Sequence, residues 1–189
     1  DIYLNGENVV ATNVFGGNNL ATMAIRPTWH LKDATITNLY SGGNRGDMTS
    51  ELGLLLAIES ANLTIENVYG GCRMANVTPA AQPGVDTYTT TGGKTISFDG
   101  GYAARVYIGG GKIKNVYGGN DISGTVKYGA NVTVTYRENP GYTFVEYVEK
   151  TAMGVEVDGT FVMPAGNVEF DAISQPNIYT LTFKNGFKP

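Results

Sequence analysis

Asn67-Val68-Tyr69-Gly70-Gly71-Cys72 is the stretch on which the fold turns, because the chain returns to the same string three more times. The other copies are Asn13-Val14-Phe15-Gly16-Gly17-Asn18, Asn38-Leu39-Tyr40-Ser41-Gly42-Gly43-Asn44 and Asn115-Val116-Tyr117-Gly118-Gly119-Asn120. Counted Asn to Asn, the intervals are 38 − 13 = 25, 67 − 38 = 29 and 115 − 67 = 48, the last close to two periods of 24. A degenerate copy near Thr95-Ile96-Ser97-Phe98-Asp99-Gly100-Gly101 is expected to fill that gap. A repeat of this length is a supersecondary unit that cannot bury its apolar face alone and must stack on its neighbours.

The approach to each copy also repeats, as Thr35-Ile36-Thr37, Thr64-Ile65-Glu66 and Lys112-Ile113-Lys114. In an extended strand this spacing places Ile, Asn and the aromatic residue on one face. The other face takes Thr37, Glu66 and Lys114 together with Leu39, Val68 and Val116. Short strands separated by glycine corners predict an all-β fold, a parallel β-helix (solenoid) over residues 1–126. Stacked turns align Ile36, Ile65 and Ile113 in one ladder, Phe15, Tyr40, Tyr69 and Tyr117 in a second, and Asn13, Asn38, Asn67 and Asn115 in a third, the amides bonding between layers. A leucine-rich horseshoe has a similar period, but its spaced Leu positions and helical returns are absent; a twisted sandwich is the other competitor. Unequal intervals become corner insertions at residues 21–32 and 78–93, while residues 50–60 fit a strand or a short helical cap.

Composition agrees with this reading. Gly contributes 26 of 189 residues, six times as a doublet, which calls for many tight turns. The apolar share of 42% suffices for a buried core. Thirteen basic and 17 acidic residues give 13 − 17 = −4 with no run of like charge, so the concentrated basic face needed to bind nucleic acid is missing. A lone Cys72 and a lone His30 support neither an internal disulfide nor a His-based zinc site. No run approaches the roughly 20 apolar residues of a membrane span. The chain opens in mid-pattern without Met, the expectation being an excised or mature piece whose targeting signals and further repeats lie elsewhere.

Past Val126 the glycine doublets stop. Residues 127–175 read as a second β module: a Val132-Thr133-Val134-Thr135-Tyr136 strand, an Asn139-Pro140-Gly141 turn, and two strands around Pro164-Ala165-Gly166. Gly141-Tyr142-Thr143-Phe144 and Phe161-Val162-Met163-Pro164-Ala165-Gly166-Asn167-Val168 make this module resemble the divergent internalin-type B repeat of bacterial surface proteins. Where that family commonly carries Trp shortly after the first Phe, this chain has Glu146-Tyr147. Residues 176–189 look like the opening of a further, truncated repeat. The Asn-Val-Tyr-Gly-Gly part is similar to segments of large surface proteins of Bacteroidetes-type bacteria.

Secreted β-helices include polysaccharide lyases and glycoside hydrolases, which need paired carboxylates or calcium-binding acids beside a base. The acids Asp33, Asp47, Glu51, Glu66, Asp99 and Asp121 form no repeated column, and no catalytic residue, cofactor or metal ligand is assigned. Asn44-Arg45-Gly46-Asp47 and Gly119-Asn120-Asp121 offer oxygens for a cation, but turn chemistry accounts for them equally. Trp29 and His30, placed in the 21–32 insertion, are the candidate ligand contacts, since an exposed Trp can stack on a sugar; packing is the commoner fate of a lone Trp. Gly109-Gly110-Gly111 lacks the spacing and Lys of a phosphate loop. The expectation is a non-enzymatic surface or extracellular segment with an adhesion, display or spacer role, partnered by a host or microbial glycan or a surface protein. A carbohydrate-active β-helix or a glycan-binding module is the alternative.

Overall fold

The computed structural model describes residues 1–134, 142–149, 160–162 and 170–178. Those residues form an all-β structure without a helix. Its strands are β1 (Ile2–Phe15), β2 (Trp29–Tyr40), β3 (Leu54–Ile58), β4 (Leu63–Tyr69), β5 (Asp86–Thr89), β6 (Thr95–Phe98), β7 (Ala104–Ile108), β8 (Lys112–Tyr117), β9 (Ala130–Val134), β10 (Tyr142–Glu149), β11 (Thr160–Val162) and β12 (Phe170–Pro176).

Two four-stranded sheets carry the organisation. The first, in the order β1-β2-β4-β8, collects the four copies of the repeat. All its pairings are parallel and bring like residues together: Asn13 with Asn38, Asn38 with Asn67, and Asn67 with Asn115. The second runs β11-β9-β7-β3, with β3, β7 and β9 parallel and β11 antiparallel at its edge. Between the sheets a column of parallel bridges links Met23 to Met48, Met48 to Val77 and Val77 to Val126.

The core lies between the sheets. Ile36, Leu39, Ile65 and Val68 from the first meet Leu56, Ile58, Val106 and Val132 from the second; burying a side chain of this size stabilises by about 1.5–3 kcal/mol. Leu39 and Val68 therefore share the core with Ile36 and Ile65, which corrects the expected assignment of faces. Alternation holds from Leu63 through Glu66 and then resets: Asn67 is half-buried, and Val68 and Tyr69 are both buried. The strand changes the direction of its side chains at Glu66 and Asn67, so simple period-two counting fails beyond that point.

Residues 50–60 resolve as a strand. β3 is buried at all five positions, as a parallel strand covered on both faces must be. Leu56 and Ile58 face the inter-sheet core, whereas Leu55 and Ala57 pack with Tyr107 against Ile96, Phe98 and Tyr88. Those last three residues belong to β5 and β6, an antiparallel hairpin. The hairpin overturns the degenerate copy expected at 95–101: β4 pairs directly with β8. The 48-residue interval is thus one rung with a hairpin inserted at its corner.

Glycine doublets permit the rungs to approach at the corners. A Cβ on Gly70 would overlap the carbonyl oxygen of Gly118, and one on Gly16 the carbonyl oxygen of Ser41.

In the C-terminal part, β10 pairs with β12 antiparallel and β11 with β9. β9 also pairs parallel with β7, so the first strand of the second module extends a sheet of the first. Residues 139–141, the stretch 163–168 of the second signature and the tail 179–189 lie outside the described residues.

Candidate functional site

Trp29 opens β2 instead of sitting in an insertion, and residues 16–28 make the connection before it. Its ring is buried in the inter-sheet core at 8% exposure, with the indole Nε1 buried and unpartnered among the described residues. It offers no exposed stacking platform for a sugar. His30 turns the other way along the strand and stacks on Tyr3, ring centroids 4.3 Å apart and 6° from parallel, with Nε2 3.9 Å from the Asp1 carboxylate. Adjacent strand positions face opposite ways, so Trp29 and His30 do not converge on one ligand.

The ladder residues come together. Asn38 Nδ2 donates to Asn13 Oδ1 at 3.0 Å, Asn67 Nδ2 to Asn38 Oδ1 at 2.9 Å, and Asn115 Nδ2 to Asn67 Oδ1 at 2.8 Å. Phe15, Tyr40, Tyr69 and Tyr117 stack with centroid spacings of 4.7, 4.8 and 4.8 Å and planes within 11° of parallel. These spacings equal the separation of neighbouring strands, so in-register pairing alone sets the stack. Ile36, Ile65 and Ile113 pair as the third ladder.

The oxygens considered for a cation are used between rungs instead. Asn44 Nδ2 donates to Asn19 and Asn44 Oδ1 accepts from Arg73. Asp47 accepts from the backbone and side-chain nitrogens of Asn76. Asn120 Oδ1 accepts from the Cys72 backbone N–H, and Asp121 accepts from the Tyr40 hydroxyl at 2.8 Å. Glu66 pairs with Lys114 at 3.2 Å on the exposed side of the first sheet. Among the described residues no group of three or more His, Cys, Asp and Glu side chains gathers as a metal site.

Reasoning from sequence missed Arg105. It is fully buried, with Nη1 donating to the Leu52 carbonyl and Nη2 to those of Gly84 and Asp99. Asp86 lies 3.8 Å from it and is also bonded by Arg26. Burial opposes the charge on Asp86, but the hydrogen bond and charge of Arg26 outweigh it and hold the carboxyl below its ordinary range. Burial pulls Arg105 below its ordinary value, with Asp86 opposing. The available signal was a charged residue inside the apolar run Ala104-Arg105-Val106-Tyr107-Ile108.

This cluster ties the base of the β5–β6 hairpin to the body, and Glu59 ties it farther along. The Glu59 carboxylate accepts from the Tyr88 hydroxyl and from both the backbone N–H and the hydroxyl of Thr91. A cavity of about 160 Å³ lies beneath, lined by Arg26, Pro27, Thr28, Trp29, Leu55, Ala57, Thr87, Tyr88 and Thr89. On the first sheet, a shallow groove of about 500 Å³ runs across β2, β4 and β8, lined by Thr35, Thr37, Thr64, Glu66, Lys112, Lys114 and the three ladder isoleucines.

Residues 107–177 match the family model of the divergent InlB B-repeat domain, a repeat module found in bacterial surface proteins. The match opens within β7 and so takes in the fourth Asn-Val-Tyr-Gly-Gly copy as well as the module read from residue 127. No curated protein and no solved structure matches the chain. No helix among the described residues is long and apolar enough to cross a membrane.

Proposed function

We propose that this chain is a non-catalytic segment of a bacterial surface or extracellular protein, a parallel β-solenoid joined to a B-repeat module and serving adhesion, display or spacing. The observation that carries this reading is the in-register stacking of four copies of one motif, running on through β9 into the region that matches the B-repeat family. Stacked rungs give length at constant cross-section, which suits a stalk or display platform. The threonine-lined groove across β2, β4 and β8 is the surface offered to a glycan or a surface protein, because hydroxyls and the Glu66–Lys114 pair present donors and acceptors on a regular grid.

The test passes the purified chain over an array of host and microbial glycans and matrix proteins, and separately incubates it with acidic and neutral polysaccharides. Retention that Thr64→Trp abolishes, without loss of melting temperature, assigns adhesion to the groove; a blank array with no cleavage leaves spacing. Release of new reducing ends or unsaturated sugars overturns the non-catalytic reading in favour of a carbohydrate-active β-helix.

A further inference from the structure

The inserted hairpin walls the cavity of about 160 Å³. The floor is apolar, made by Leu55 and Ala57 of β3 with the buried Pro27 and Trp29 beside them. One wall is the segment from Arg26 to Trp29, and the other is β5, through Thr87, Tyr88 and Thr89. β6 contributes no residue to the lining, so the cavity lies against the edge of β5 that is turned away from its partner strand.

Backbone groups on that edge have no ladder partner. Thr90 N–H donates across the hairpin to the Lys94 carbonyl, whereas the N–H groups of Thr87 and Thr91 donate to the carboxylates of Asp86 and Glu59. Main-chain groups of an antiparallel strand alternate between its two sides, so the N–H and carbonyl of Thr89 also point away from β6, on the side the cavity occupies. Thr28, Thr87 and Thr89, all exposed, add hydroxyls at the rim. The nearby charges are already matched, Arg26 by Asp86 and the Glu59 carboxylate by the donors of Tyr88 and Thr91. Those contacts also fix the hairpin at its base and farther along, so the cavity is formed in advance of any ligand.

We propose that this cavity binds one neutral pyranose residue of a glycan. The volume suits a single six-membered ring whose substituents reach the rim, since about 150 Å³ already admits benzene. A pyranose presents an apolar C–H face and a circle of hydroxyls that donate and accept, the complement of an apolar floor beneath unpaired backbone groups and threonine hydroxyls. A uronate would bring a carboxylate to a site whose lining guanidinium is already held by Asp86. Trp29 is part of the buried wall here and not an exposed stacking face. The proposal rests on the adhesion reading for its class of ligand and adds a second site, sharing no residue with the groove on the first sheet.

Trp29 is the single Trp of the chain, so its fluorescence reports the cavity directly. The chain is titrated with methyl glycosides of glucose, galactose, mannose and N-acetylglucosamine, with saturation-transfer NMR on the sugar as a second readout. At least one is expected to bind saturably, with a dissociation constant on the order of 1 mM. The methyl glycosides of glucuronate and galacturonate should bind about fivefold more weakly or less, their carboxylate being desolvated without a partner. Thr89→Tyr and Thr28→Tyr fill the cavity from opposite walls at exposed positions, and each should weaken binding about tenfold or more with the melting temperature unchanged. Thr64→Tyr, in the groove, should leave binding intact. Silence of every neutral glycoside in both readouts, uronates that bind as tightly, binding that survives both filling variants, or binding lost in Thr64→Tyr would each overturn the proposal. The array with Thr64→Trp and the polysaccharide incubation score the adhesion reading through the groove, so the two readings can fail separately.

Discussion

The hydroxyl of Tyr40 reaches the carboxylate of Asp121 across 81 positions of sequence, tying the second copy of the repeat to the corner that follows the fourth. The bond spans two rungs, because β4 lies between β2 and β8. Tyr40→Phe keeps the ring in its stack and removes only that bond, so a loss of about 1.5–3 kcal/mol is expected, as for a hydrogen bond to a charged group. Tyr40→Ala removes the ring as well and should cost about 3–5 kcal/mol. Urea titration of the two variants separates the contributions.

The same phenol should also be reluctant to ionise. Burial first, then the hydrogen bond and charge of Asp121, push the Tyr40 pKa above 10.0, and the same causes push Tyr69 up to about 12. A raised folded value means that this stabilisation is complete below pH 10.0 and is lost as pH rises towards the folded values. Absorbance at the tyrosinate band should therefore show these phenols silent past pH 10 and appearing together with alkaline unfolding. Appearance of all tyrosinates near pH 10 in a folded chain would contradict the burial described.

Position along the Asn ladder sets the cost of removing an amide. Asn67 both donates to Asn38 and accepts from Asn115, whereas Asn13 only accepts. Asn67→Ala should lower unfolding stability by about 1–3 kcal/mol through two lost bonds and two stranded partners, and Asn13→Ala by about 0.5–1 kcal/mol. Equal losses at the two positions would show that the bonds act independently of the rung they join.

Asp86 neutralises two guanidinium groups at the base of the hairpin, one of them fully buried. Asp86→Asn leaves Arg105 without its counter-charge and should cost about 3 kcal/mol near neutrality. The carboxyl titrates below the ordinary 3.8, so its contribution is present above that value and is lost as pH falls through the lower folded value. The stability gap between wild type and Asp86→Asn should accordingly narrow below pH 3.8. Chemical denaturation at stepped pH checks the sign.

A methyl group tests the close approach of rungs at the corners. Gly70→Ala drives a Cβ into the Gly118 carbonyl and should destabilise by about 1–3 kcal/mol, as overpacking against an immovable neighbour does. Gly84 has open space around it, and Gly84→Ala should be neutral or gain about 0.4–1 kcal/mol by restricting the unfolded chain. Thermal melts of the pair decide this.

Asn13, Asn38, Asn67 and Asn115 were legible because each repeats in the same place relative to a glycine corner. The pairing of like residues follows once parallel stacking is assumed. Leu39 and Val68 depart from period-two counting because the strand redirects its side chains near the repeated Asn, and nothing in a period of two marks where that happens. Residues 95–101 pass for a degenerate repeat, since Thr95-Ile96-Ser97-Phe98 has the same apolar alternation as a rung, although 95–98 form the second strand of a hairpin. Only the direct pairing of β4 with β8 separates the two. Trp29 was displaced because the length of the preceding connection set its expected place, whereas pairing of Ile2 with Trp29 starts β2 earlier. Asn19 and Arg73 stand at the same 25- and 29-residue intervals from Asn44 as the ladder residues do from one another, so their bonds to it follow the repeat beyond the hexad itself.

The hairpin at the corner after Val77 changes what must stay constant in such a chain. Twenty or so residues enter between one rung and the next, yet Asn67 meets Asn115 at 2.8 Å, no farther apart than its uninterrupted neighbours. The molecule is thus tolerant at its corners and strict along its strands. New material can be added, lengthened or exchanged at a corner while the rungs keep their alignment, giving one scaffold many faces.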